Sequence, residues 1–118
     1  MQKLVRLFSF SGRATRAEWW VLNLVVGIPV WICMEGTPEG YRPSVLALLL
    51  IVPIVATAAW LLVAVSIRRL HDRGMKWTYY LLSLIPAVGM GWLTVECGLL
   101  PGTPGPNDFG TRAYRVTD

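Results

Sequence analysis

Ser44 to Ile67 reads SVLALLLIVPIVATAAWLLVAVSI, 24 residues without a charged side chain. Arg68-Arg69-Leu70-His71-Asp72-Arg73-Gly74 follows directly. A helix rises about 1.5 Å per residue, so roughly 20 apolar residues cross the hydrocarbon core of a bilayer. The run therefore predicts a transmembrane helix, and its basic end is expected on the cytoplasmic face. Composition agrees: 54% of the 118 residues are hydrophobic and only 15% charged, with six Trp. A soluble domain carries about 25% charged residues, and a chain this small has little interior in which to hide so much apolar surface. One membrane domain is expected, with no room for a second.

Two further segments read as spans. Trp19 to Met34 is bordered by Trp19-Trp20 and Trp31, residue types that favour the two interfaces. Thr15-Arg16-Ala17-Glu18 fits a capping box that would start this helix. Gly27 and Pro29 predict a bend, and Asn23 needs a polar partner. Trp77 to Leu100 reads as the third span, bent at Pro86 and Gly89. Within it Ser83, Ala87 and Gly91 lie four apart, which would align three small residues as a helix-packing face. Glu96 falls late in this span, where it could snorkel to the outer interface.

The expected fold is all-α, an integral membrane bundle of three transmembrane helices. A basic interfacial segment (residues 1–18) precedes the first span (19–34), an outer loop (35–43), the second span (44–67) and an inner basic loop (68–76). The third span (77–100) and an outer tail rich in Pro and Gly (101–118) complete the single domain. Lys3, Arg6, Arg13, Arg16, Arg68, Arg69, Arg73 and Lys76 flank the spans on one side; Arg42, Arg112 and Arg115 fall on the other. That asymmetry predicts an N-in, C-out orientation. The first apolar run begins at Trp19 with no small-residue cleavage site after it, so a cleaved signal peptide is not expected.

The net charge of +4 sits beside hydrophobic spans rather than on a soluble basic face. Anionic lipid head groups, not nucleic acid, are the expected partners. The candidate head-group or structural cluster is Arg13, Arg16, Arg68, Arg69 and Arg73, with Asp72 pairing Arg13, Arg16 or Arg69. His71-Asp72 alone does not make a metal or hydrolase centre, because metal sites need three or four convergent ligands and His71 is the single histidine. No cofactor is expected, and an enzyme is the least favoured class. Cys33 and Cys97 both fall near the expected outer ends of their spans, which would allow a disulfide in an oxidising compartment.

Three blocks resemble a known family pattern: Phe10-Ser11-Gly12-Arg13-Ala14-Thr15-Arg16-Ala17-Glu18-Trp19-Trp20, then Arg68 to Gly74, then Gly102-Thr103-Pro104-Gly105-Pro106-Asn107-Asp108-Phe109-Gly110. Together, and in this order, they resemble the small bacterial inner-membrane proteins of the domain-of-unknown-function 805 family. Met75-Lys76-Trp77 departs from the Ser-Gly-Trp usual there. The resemblance implies a bacterial inner-membrane location and brings no established activity; the spans read above make the expected protein multi-pass. The expected role is a non-enzymatic component that packs with itself or another membrane protein. The alternative is an anionic head-group binder or transport accessory.

Overall fold

The computed structural model describes residues 1–111 and is helical, with no strand among them. Tail residues 112–118 lie outside the described part. A short helix, α1 (Gln2–Phe8), leads to α2 (Arg16–Leu22), whose start is the predicted capping box. Thr15 Oγ1 accepts from the Glu18 amide, and Glu18 Oε2 accepts from the Thr15 amide, both at 3.0 Å. The helix widens into a π-turn (Asn23–Gly27) and continues as α3 (Ile28–Glu35). Pro29, early in α3, cannot donate to the preceding turn, and the π-turn absorbs that mismatch. Asn23 resolves its own polarity by donating to the Trp19 carbonyl one turn back, at 2.8 Å.

The long helix α4 (Val45–Asp72) runs unbroken through Pro53. Its 28 residues extend about 42 Å, more than the roughly 30 Å hydrocarbon core requires. Among the described residues, Arg16–Glu35 and Val45–Asp72 are the two helices long and apolar enough to cross a membrane. The last nine residues of α4, Ala64 to Asp72, are all buried. Ala14, Trp19, Val65, Leu70, Leu93 and Cys97 form the core around them. Trp19 Nε1 donates to Ser66 Oγ at 3.0 Å, so α2 and α4 meet at this end. Toward the far end, α3 and residues 45–57 of α4 are left largely uncovered.

The third predicted span is not a continuous helix. A 3-10 segment (Trp77–Leu84) is followed by a reversal, then α5 (Gly89–Thr94) and a second π-turn (Val95–Leu99). Ile85, preceding Pro86, is extended (φ −70°, ψ 120°), as the proline ring demands. Ala87 takes φ 66°, and the Gly89 amide donates to the Ile85 carbonyl at 2.8 Å. A Cβ on Gly89 would land on the Ser83 carbonyl, so the two arms turn tightly against each other. Each arm is about 16 Å long, near half the hydrocarbon thickness.

The reversal corrects three expectations. The segment begins and ends beside the last turn of α4, so residues 101–111 lie at the end that holds the N-terminal block rather than opposite it. Ser83, Ala87 and Gly91 do not form one helix face: Ser83 is buried with its hydroxyl on the Tyr80 carbonyl at 2.6 Å, Ala87 sits in the turn, and Gly91 is exposed on α5. Cys33 and Cys97 are both free, Cys33 exposed in α3 and Cys97 buried against Ser66 at the other end of the bundle.

Candidate functional site

The buried end of α4 places Asp72 at a junction between distant parts of the chain. Its Oδ1 accepts from Arg13 Nε at 2.7 Å, its Oδ2 accepts from Arg69 Nη1, and all three side chains are fully buried. The residual positive charge is met by backbone dipoles. Arg13 donates through Nη1 to the Gly105 carbonyl and through Nη2 to the Thr103 carbonyl, each at 2.6 Å. Arg69 donates through Nε to the Cys97 carbonyl at 2.8 Å and through Nη2 to the Leu100 carbonyl at 2.6 Å. The planar guanidinium fork suits such multiple contacts better than an ammonium would.

The clasp extends through the backbone and ring contacts around it. The Thr103 amide donates to the Asp72 carbonyl at 2.7 Å, and the Ala14 amide to the Arg68 carbonyl at 3.1 Å. His71 Nδ1 donates to the Gly12 carbonyl at 3.1 Å, and its ring stacks on Phe109 with centroids 4.2 Å apart. Asn107 Nδ2 donates to the His71 carbonyl at 2.9 Å, while Asn107 Oδ1 accepts from the Phe109 amide and shapes the turn. Gly105 and Gly110 take positive φ, which permits the tail to fold back on itself within reach of Arg13.

Of the predicted basic cluster, Arg13 and Arg69 hold Asp72. Arg16 donates instead to the Leu99 carbonyl at 3.3 Å. Arg73 pairs with Glu96 at 2.9 Å and donates to the Pro101 carbonyl at 2.8 Å. Glu96 therefore lies at the α4 end of the hairpin, not at the opposite interface as a full third span would place it. Arg68 is fully buried, and none of its three guanidinium nitrogens has a hydrogen-bond partner among the described residues.

The contact that sequence reasoning missed is that of Trp20, on α2, with Gly98 of the second π-turn. Trp20 Nε1 donates to the Gly98 carbonyl at 3.0 Å, and a Cβ on Gly98 would meet the Trp20 ring at 2.8 Å. Gly98 was the available signal, a glycine inside an apolar run that marks close approach. Chemically, Asp72 has both oxygens engaged by cations and offers no open coordination position. No group of three metal-ligating side chains occurs among the described residues.

The three blocks that carry the sequence resemblance thus meet around one carboxylate in a helical membrane protein. Residues 7–111 match the model of a family described as a protein of unknown function, DUF805. The chain belongs to that family. It is 32% identical over 120 residues to the inner membrane protein YhaH of Escherichia coli, covering 93% of this chain and 91% of that one. It is 34% identical over 107 residues to the inner membrane protein YhaI of the same organism, covering 86% and 82%. No solved structure matches it significantly. The localisation is the inner membrane.

Proposed function

We propose that the chain is a non-enzymatic assembly component of the inner membrane, with its clasp and tail on the cytoplasmic side. The observation that carries this reading is the closure of the clasp: Asp72, Arg13 and Arg69 are turned on one another and on backbone carbonyls. Such an arrangement holds a scaffold rigid and leaves no side chain poised for proton transfer. In this reading α2–α3 and α4 span the bilayer, and residues 77–99 form a re-entrant hairpin. Its Ser83, Gly89 and Leu93 are buried, and the apolar residues of its tip, Leu84, Ile85 and Val88, are exposed. Lys3, Arg6, Arg13, Arg16, Arg68, Arg69, Arg73 and Lys76 all belong to the clasp end, and Arg42 to the loop at the other end. That distribution supports a cytoplasmic clasp.

The apolar faces of α3 and of residues 45–57 of α4 are the surfaces through which the chain would pack against helices of a further membrane subunit. A photo-crosslinking residue at Leu49, exposed on α4, tests this in intact inner membrane. A discrete protein adduct of fixed added mass is expected. Adducts with lipid alone would overturn the assembly role.

A further inference from the structure

The unpartnered guanidinium of Arg68 is the one feature of the clasp end that the Asp72 network does not explain. A buried cation without a partner is strongly disfavoured, and proteins retain one where a counter-charge is supplied. The Arg68 carbonyl accepts from the Ala14 amide at 3.1 Å and Arg6 donates to the neighbouring Arg13 carbonyl at 3.0 Å, which brings Arg68 within the electrostatic influence of Glu18, which attracts it, and of Arg6, which repels it. Glu18 is already engaged by the Thr15 amide and by Arg6. Both Glu18 and Arg6 line a cavity of about 390 Å³ between α1 and the start of α2, together with Lys3, Leu4 and Leu7. Lys3, Arg6 and Arg68 against Glu18 leave the neighbourhood two positive charges in excess.

We propose that this cavity is a binding site for a phosphate group, held by Lys3 and Arg6, with the charge of Arg68 adding to the positive field they set up. The chemistry is that of a phosphodiester or phosphomonoester: compact, anionic and rich in acceptors, which guanidinium groups match well. The volume lies in the range of small-ligand sites. Leu4 and Leu7 add apolar lining of the kind that a glycerol backbone or acyl chain would contact. Outside the cavity, exposed Val5 and Phe8 on α1 suit insertion at a membrane surface. Arg68 is sealed from solvent, so it acts on the phosphate through its charge, while Arg6 gives up Glu18 to bind it. Their 3.4 Å contact, with side chains 46% and 31% exposed, is the weakest ion pair of this end. This site replaces the five-arginine cluster read from sequence, two of whose members hold Asp72.

The test is native mass spectrometry of the full chain in neutral detergent, titrated with phosphatidylglycerol and, separately, with inorganic phosphate. One equivalent of lipid is expected, bound about tenfold more weakly in Arg68→Gln and about fivefold in Lys3→Gln. Arg16→Gln, outside the cavity, should bind as the parent does. If inorganic phosphate binds with the same dependence and displaces the lipid, the occupant is a soluble phosphate; if it does neither, the occupant is a lipid head group. Should Arg68→Gln fail to fold, Lys3→Gln decides, since Lys3 is exposed and outside the core. Unchanged binding in Lys3→Gln, or no binding of either probe to the parent chain, overturns the site.

Discussion

Arg13 and Asp72, 59 residues apart in the chain, pair at 2.7 Å with both side chains sealed from solvent. The pair joins the block ahead of the first span to the end of the second, and Arg13 carries the tail with it. Removing one member of a buried ion pair leaves the other charged and unmatched, which costs about 3–5 kcal/mol. Asp72→Asn strands two guanidinium groups at once. It should lower stability by about that amount, read by denaturant unfolding in detergent. Arg16→Gln removes only an exposed contact to the Leu99 carbonyl and should change stability by less than about 0.5 kcal/mol.

The hairpin supplies a second prediction with its own control. Gly89 packs against the Ser83 carbonyl, whereas a Cβ on Gly91 meets nothing within 4 Å. Gly89→Ala forces the two arms apart and should cost about 1–3 kcal/mol. Gly91→Ala, two residues on in the same helix, should be neutral or stabilising by up to about 1 kcal/mol, because alanine favours helix over glycine. Thermal unfolding of the two variants in parallel would separate these outcomes. A straight third helix would make the two substitutions equivalent.

The cysteines report on the same geometry. Cys33 is exposed and Cys97 fully buried at the opposite end of the bundle. A methanethiosulfonate reagent should modify Cys33 in the folded chain and reach Cys97 only after denaturation. Oxidation of the parent chain should leave no intramolecular bond detectable by mass. Rapid modification of Cys97 would mean that the hairpin does not pack as described.

Much of this architecture was legible in the sequence where one local signal sufficed. The uncharged run to Ile67, the Thr15–Glu18 capping box and the pairing of Asp72 with an arginine out of Arg13, Arg16 and Arg69 each rest on neighbouring residues or strong charge complementarity, although Arg13 and Arg69 both pair and Arg16 does not. The path of residues 77–100 was not legible in the same way. Its length and hydropathy suit a full span, and Pro86 and Gly89 mark a bend and a reversal equally well. What decides between them is tertiary: carbonyls of Cys97, Leu100 and Pro101 close onto Arg69 and Arg73, and no local pattern announces that closure. Arg68 was visible as a charge but not as an orphan, since burial without a partner is a property of the assembled fold.

The returning hairpin carries the last prediction, the side of the membrane on which the chain ends. Thr103 and Gly105 accept hydrogen bonds from Arg13, and the Thr103 amide reaches the Asp72 carbonyl, so the tail shares a side with the N-terminal block. A fluorescent protein that matures only in the cytoplasm, fused after Asp118, should fluoresce in a bacterial host. Alkaline phosphatase, active only outside, should be silent at the same position and active when inserted after Gly40 in the loop between α3 and α4. Three full spans would reverse the C-terminal pair of results while leaving the loop insertion unchanged, because the first span is common to both arrangements. Arg69→Gln loosens the closure at Leu100 without altering the charge-free spans, so it should reduce stability yet keep the reporter fluorescent. A reporter that switched sides in that variant would mean that the clasp, and not the reversal at Pro86, keeps the hairpin from crossing.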